Sequence, residues 1–477
     1  MHRMLLAAGA ALMFAVVSRP ADAAPGVTIP AYSRTVLDNG VTLVIMPRRE
    51  VPLVAFTALV RGGALADADG KAGVASLTAG LLEKGAGARD AYQFADAVEG
   101  AGGSLSAAAG TEAITVGGQF LAQDRDLMVE LLADALLRPR FETDEFDSLR
   151  NRRIEELKAA KDADPSGLIR IYGRALLFGD HPYGRPAGGS ERTLAAIARE
   201  DVLAYYRANF GADRLTLIFA GDVDPAALTA LVRRAFGSWG RASAPLPALA
   251  TPARISGRRV LLVDQPGAAQ TYFWLANTGV ARRYADRAAL DVVNTLYGGR
   301  FTSILNTELR IKSGLSYGAA SGFTRGSVPG EFAIRSFTQT DTTGKAIDLA
   351  LDTLTRLHHG EGLSPEMLDS ARSYVLGQFP LQLETASHWV AALAELELYG
   401  LDRAYIDGYG AAVGAVDAAA AQRVIADAFP SADDLAIVLI GDAAKIRETA
   451  AKYGPLTEMP LAAPDFRAPA VSRPAAE

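Results

Sequence analysis

The sequence contains no cysteine. That absence excludes disulfides, thiolate nucleophiles and cysteine-ligated zinc together. Histidine is scarce, with five in 477 residues. Beyond His2 they are His181, His358, His359 and His388. None stands in an H-x-x-x-H or H-x-x-E-H arrangement, which would set two imidazoles on one helical face for a metal. His358 and His359 are adjacent, ~100° apart on a helix, and read as a solvated pair. His181, in the turn-like GDHPYGRP, reads as structural. There is no G-x-S-x-G elbow and no G-x-x-x-x-G-K-[ST] phosphate loop. Positive charge is in deficit, and a formal net charge of −6 argues against nucleic acid as a partner. Past the first residues no stretch approaches ~18 uncharged apolar residues, so no stable membrane span is expected.

The amino terminus does carry a signal. MHRMLLAAGAALMFAVVSRPADAA has a basic start at His2–Arg3, an apolar run from Met4 to Val17 and a small-residue site at Ala21-Asp22-Ala23. That order of features is a secretory signal peptide, residues 1–23. The apolar run is too short for a comfortable span. The mature chain is therefore expected to be exported and periplasmic, a compartment compatible with the lack of cysteine.

The chain repeats itself. ADRLTLIFAGDVD begins at Ala212 and ADDLAIVLIGDAA at Ala432, 220 positions later. Each is a buried-strand run, then Gly-Asp, then a helical pattern. RTVLDNGVTLVIMP opens the first half with an Asn39-Gly40 hairpin signal, and RRVLLVDQP opens the second. RASAPLPALATPAR, 241–254, reads as a linker. Strands alternate with long helices in both halves. The expectation is an α+β protein: two homologous α/β sandwich domains, 27–240 and 255–459, joined by that linker and followed by a disordered tail, 460–477.

Three stretches bear on chemistry. GVASLTAGLLEKG, 73–85, has Val74, Leu77, Leu81 and Leu82 on an apolar stripe. Its opposite side, Ser76, Ala79, Gly80 and Glu83, is small almost throughout, and Gly80 costs ~1 kcal/mol against alanine in a helix interior. Glu155-Glu156 lie among Arg152, Arg153 and Lys158 and read as a solvated helix face. In LRIKSGLSYG, 309–318, Gly314 stops a helix and the turn can bring Arg310 and Tyr317 to one side. A guanidinium and a phenol there could hold a peptide carbonyl or a developing oxyanion. A dipole-favouring arginine and an ordinary strand tyrosine are the alternative.

Taken in order, LDNGVTLVIMPRREVPLVAFTALVRGGALAD, GVASLTAGLLEKGAG, AGGSLSAAAGTEAITV, HPYGRP, REDVLAYYRANFGADRLTLIFAGDVD and YGGRFTSILNTELRIKSGLSYG resemble the pitrilysin/insulinase-type metallopeptidases, the inverted zincins that include mitochondrial processing peptidase. The resemblance covers nearly the whole mature chain and implies a duplicated domain forming half of a clamshell chamber. In active members the 73–85 segment carries H-x-x-E-H. Here the first histidine position is Ser76, the glutamate Ala79 and the second histidine Gly80, so the motif is degenerate. The family's third ligand falls near Glu155 or Glu156. One carboxylate does not make a catalytic zinc site, so no metal is expected on this chain. The family's substrate-contacting Arg and Tyr match Arg310 and Tyr317. The resemblance implies a non-catalytic, substrate-binding subunit of a heterodimeric zinc peptidase, acting on extended peptides beside a catalytic partner that carries H-x-x-E-H and the zinc. A catalytically inert peptide-binding or scaffold protein of the same fold is the alternative, and a homodimer is compatible with it.

Overall fold

The structure, a computed structural model, describes residues 26–468. The expected signal peptide lies outside the described residues. Two six-stranded mixed sheets organise the chain. The first comprises β1 (Ser33–Val36), β2 (Thr42–Pro47), β3 (Leu53–Arg61), β4 (Ser104–Ala109), β5 (Ala113–Leu121) and β6 (Leu215–Gly221), in the order β1-β2-β6-β3-β5-β4. The second comprises β7 (Arg259–Asp264), β8 (Gln270–Thr278), β9 (Ala319–Arg325), β10 (Pro329–Gln339), β11 (Ala436–Gly441) and β12 (Leu456–Pro460), in the order β12-β7-β11-β8-β10-β9. The repeated strands β6 and β11 occupy the same central place. Each pairs parallel with an early strand of its half, β2 or β7, and antiparallel with β3 or β8. The duplication holds for five strands and breaks at the sixth. β1 precedes β2 and runs antiparallel to it through the Asn39-Gly40 turn, whereas β12 arrives from the other end of the chain and runs parallel to β7.

LTLIFAG and AIVLIG are continuous apolar runs because each sheet is covered on both faces. Leu217 and Phe219 face helices of their own half, while Ile218 and Ala220 face Trp389 and Leu393. Those two belong to helix Ala386–Tyr399, which lies across β3 and β6. The exchange is mutual. Helix Ile169–Phe178, from the first half, lies across β8 and β11, where Tyr172 packs in one core with Val438 and Ile440. Gly173 is what lets this helix settle on Trp274, since a Cβ there would stand 2.6 Å from the indole ring. Each half thus completes the core of the other.

The 241–254 stretch has neither helix nor strand. It is held by Asp213, which accepts from Ala242 N at 2.9 Å, and by the His181 ring, whose Nε2 stands 2.8 Å from the Ala250 carbonyl oxygen. His181 is structural in this sense, and its Nδ1 also accepts from Tyr183 N at 3.1 Å. The expectation of a disordered tail from Pro460 needs correction as far as residue 468. Leu461 and Phe466 are buried, Phe466 stands edge-on to Tyr172 at 5.0 Å, and Lys161 donates to Ala463 O at 2.6 Å. A Pro/Ala-rich composition concealed two apolar anchors. Residues 469–477 lie outside the described residues.

Candidate functional site

Helix Val74–Leu81 sits at the centre of the first half. Val74, Leu77, Leu81 and Leu82 are buried in its core, as their spacing requires. The helix has no side-chain cap of its own. Asp67 supplies one from outside, accepting from Gly73 N at 2.8 Å and Ala75 N at 2.9 Å. Burial pushes the Asp67 carboxyl up to about 7, against those two donors and Arg185, which favour the charged form. A folded-state value above the ordinary 3.8 means that folding takes up a proton between those limits. The Asp67 contribution to stability is therefore fully present below pH ~4, falls as pH rises toward 7 by up to ~1.4 kcal/mol per unit, and levels off above it. Asp67→Asn flattens this part of the profile, read as denaturation midpoint against pH.

The other side of the helix is where the family resemblance places zinc chemistry. Ser76 and Gly80 are half-buried. Ala79, expected on the same open face, is fully buried. The space beside Gly80 is filled by Leu149 of helix Thr143–Ala163, and a Cβ at 80 would lie 3.0 Å from Leu149 Cδ2. Glu155 and Glu156 turn away to solvent, their side chains 69% and 50% exposed. Glu155 pairs with Lys158 at 2.8 Å and Glu156 with Arg153 at 2.9 Å. A neutral hydroxyl at 76, no donor at 79 or 80 and an apolar plug between the helices do not fit a zinc ion.

Glu83, one turn beyond Gly80, is engaged elsewhere. Its carboxylate accepts from Ala107 N on β4. β4 is the edge strand of its sheet. Gly110 N donates to Ala113 O across the β4–β5 turn at 2.8 Å, so by antiparallel alternation Ala107 directs its N–H away from β5, to the free edge. Burial raises the pKa of Glu83 above the ordinary carboxylate range, and the Ala107 donor opposes that shift. The edge strand of the other half, β9, also carries side-chain contacts on its outer groups. Asn306 Oδ1 accepts from Ala319 N at 3.1 Å, and Asn294 Nδ2 donates to Ser321 O at 3.4 Å.

Arg310 and Tyr317 do come together. The guanidinium carbon of Arg310 stands 4.2 Å from the Tyr317 ring centroid and 4.9 Å from that of Phe301. The sequence suggested two donors side by side, and the observed arrangement is a stack, a cation between two aromatic faces. Tyr317 is 74% exposed and Phe301 60%. Among the described residues neither Arg310 nor Tyr317 has a hydrogen-bonding or ion-pair partner, so the donors of both remain free for a ligand. Arg310 lies in a π-helical turn, Thr307–Lys312, where the sequence suggested a plain α-helix. Ser313 N reaches back five residues to Glu308 O at 3.1 Å. A second π turn, Thr295–Gly299, follows helix Arg287–Asn294. Such turns widen the helix and re-aim its side chains. Gly298 is required in the second one, because a Cβ there would collide with Ser321 of β9.

Sequence reasoning did not identify Asp67, Leu149 or the role of Glu83. Leu149 was visible only as one more apolar position of an amphipathic helix. Asp67 and Glu83 act across loops and between elements, and no local pattern marks them.

Comparison with known proteins bears on the fold and the family. Residues 44–185 match the family described as Insulinase (Peptidase family M16), and residues 196–375 match the Peptidase M16 inactive domain. A Mycobacterium leprae protein named a zinc protease is 30% identical over 371 residues, covering 77% of this chain and 82% of that protein. A Bacillus subtilis zinc protease, YmxG, is 22% identical over 76% of this chain and 88% of its own length. Among solved structures, a peptidase M16 inactive domain from Pseudomonas fluorescens superposes with a TM-score of 0.80 at 22% identity, covering 86% of this chain and 98% of that one. A protease from Helicobacter pylori gives 0.78 at 20% identity, over 86% and 100%. The chain belongs to peptidase family M16, the insulinase family.

Proposed function

We propose that this chain is the non-catalytic, substrate-binding subunit of an exported, periplasmic, heterodimeric zinc peptidase. The observation that carries the reading is a contrast within one chain. The zinc-motif positions Ser76, Ala79 and Gly80 lack a donor set, and Leu149 fills the space beside Gly80, while the half-buried Arg310 stacks on an exposed Tyr317 and, among the described residues, neither side chain has an internal hydrogen-bonding partner. The partner, an M16 subunit with H-x-x-E-H, supplies the zinc and the hydrolytic chemistry. This chain forms one half of the clamshell, and Arg310 and Tyr317 donate hydrogen bonds in trans to the peptide carbonyl as negative charge develops on its oxygen.

Extended peptide is held by strand addition at the free edge of β4. Glu83 occupies an N–H that such a strand needs, so peptide binding displaces its carboxylate. Glu83→Ala therefore strengthens binding of an extended peptide severalfold at neutral pH, measured by fluorescence anisotropy. Unchanged affinity would place the peptide elsewhere.

The test of the subunit reading is purification of the chain from its native periplasmic extract, with associated chains identified by mass spectrometry. A chain with H-x-x-E-H in equal amount is the expected companion. Recovery of this chain alone, or only with itself, would favour the inert peptide-binding or scaffold protein.

A further inference from the structure

The Arg310 side chain opens into a cavity of about 700 Å³ beside edge strand β9. Three arginines line it: Arg300, just after the Thr295–Gly299 π turn; Arg310, in the Thr307–Lys312 π turn; and Arg335, on β10. No aspartate or glutamate lines it. The chain as a whole has more acidic than basic residues, 54 against 48, yet this cavity is lined by three cations and no carboxylate. Their neighbours do not neutralise them. Among the described residues none of the three forms an ion pair. Arg300 Nη1 donates to Ser370 O at 3.1 Å and Oγ at 3.0 Å, and its buried Nε has no partner. Glu308, on the same turn as Arg310, is held by Lys312 at 2.8 Å and lies 3.8 Å from Arg356. Burial, and secondarily the Asp164 charge, raises the pKa of Tyr272 at the cavity, and Asp164 itself accepts from Ser166 N at 3.1 Å. Tyr272, Phe337 and Tyr374 supply aromatic surface to the wall, and the other lining residues are uncharged.

We propose that this cavity is a carboxylate-binding subsite, which makes the peptides taken by this chain acidic ones. The inference rests on the substrate-binding reading above and deepens it by naming the substrate class. Arginine suits the task because its planar fork matches a carboxylate bidentately. Like charges gathered on one concave surface raise a positive potential there that favours an incoming anion. The aromatic wall offers flat surface for the apolar remainder of the peptide. The carboxylate is that of an aspartate or glutamate side chain or of the peptide's own C-terminus.

The experiment uses the full mature chain and three fluorescein-labelled peptides of equal length. One is glutamate-bearing and C-terminally amidated, one is its glutamine counterpart, also amidated, and one is the glutamine peptide with a free C-terminus. Anisotropy titration at low salt is expected to show about tenfold tighter binding, ~1.4 kcal/mol, for at least one carboxylate-bearing peptide over the neutral amide. Which one it is identifies the source of the carboxylate. Arg300→Gln/Arg335→Gln erases that margin while the neutral peptide binds as before. Arg335→Glu, a change at an exposed position, leaves Arg300 and Arg310 in place with a carboxylate beside them and narrows the margin for the carboxylate-bearing peptide. Equal affinity for all three peptides, or a margin that survives the double substitution, overturns the carboxylate subsite alone. Failure of every peptide to bind overturns the substrate-binding reading and this inference with it.

Discussion

Replacing Arg310 and Tyr317 together by alanine lowers turnover of the assembled peptidase by ~10²–10³-fold, the loss typical of removing donors that meet developing oxyanion charge. Assembly and folding stay intact, because the stack is on the surface and neither side chain contributes a hydrogen bond or ion pair to the described fold. Single substitutions divide the effect. Tyr317→Phe keeps the ring against the guanidinium and removes only the hydroxyl, so it reads out that donor. Arg310→Lys keeps the charge but loses the planar fork and much of the stack with Tyr317 and Phe301. If the pair acts on the transition state, kcat for a peptide without a carboxylate at the arginine cavity falls with little change in KM. An inert scaffold would leave both constants unchanged in the double variant.

Writing H-x-x-E-H back into the helix, as Ser76→His/Ala79→Glu/Gly80→His, destabilises the protein and yields no peptidase. Two physical obstacles stand in the way. Ala79 is fully buried, and a glutamate there is a buried carboxylate without a partner, a change of roughly 3–5 kcal/mol. A side chain at 80 meets Leu149 at its first carbon, which adds an overpacking cost of about 1–3 kcal/mol. The third ligand is also out of place, since Glu155 and Glu156 are solvated and paired with lysine and arginine. The thermal midpoint of the triple variant falls well below that of the parent chain, and added zinc does not restore it. Restoration by zinc would mean that Leu149 and the 143–163 helix yield easily, and that the site is vacant through ligand loss alone.

The scaffold was legible in the sequence where its causes are local. The 220-residue repeat located β6 and β11 because a central strand covered on both faces has to be apolar throughout. The Asn39-Gly40 pair located the first hairpin through its backbone preference, and Gly40 does take a positive φ, 102°. The spacing of Arg310, Gly314 and Tyr317 anticipated a turn that brings two side chains together, and Gly314 terminates the helix at φ 65°. What depends on distant packing was not legible. The exchange of helices Ile169–Phe178 and Ala386–Tyr399 between the two sheets is set by shape across the whole chain. Leu149 plugging Gly80 joins residues 69 positions apart, and the π turns that aim Arg300 and Arg310 are single-residue departures from a helix whose hydrophobic spacing looks ordinary. Arg335 carries no signal at all as a strand residue, and only the fold sets it beside the other two arginines.

The central claim is that zinc belongs to a partner and not to this chain. The direct test is the zinc stoichiometry of the chain purified alone, after equilibration with micromolar zinc and desalting, set beside that of the co-purified complex. The account predicts no retained zinc on the isolated chain and one ion per pair of chains in the complex. One tightly held zinc per isolated chain, lost on mutating residues of the Val74–Leu81 helix, would contradict it.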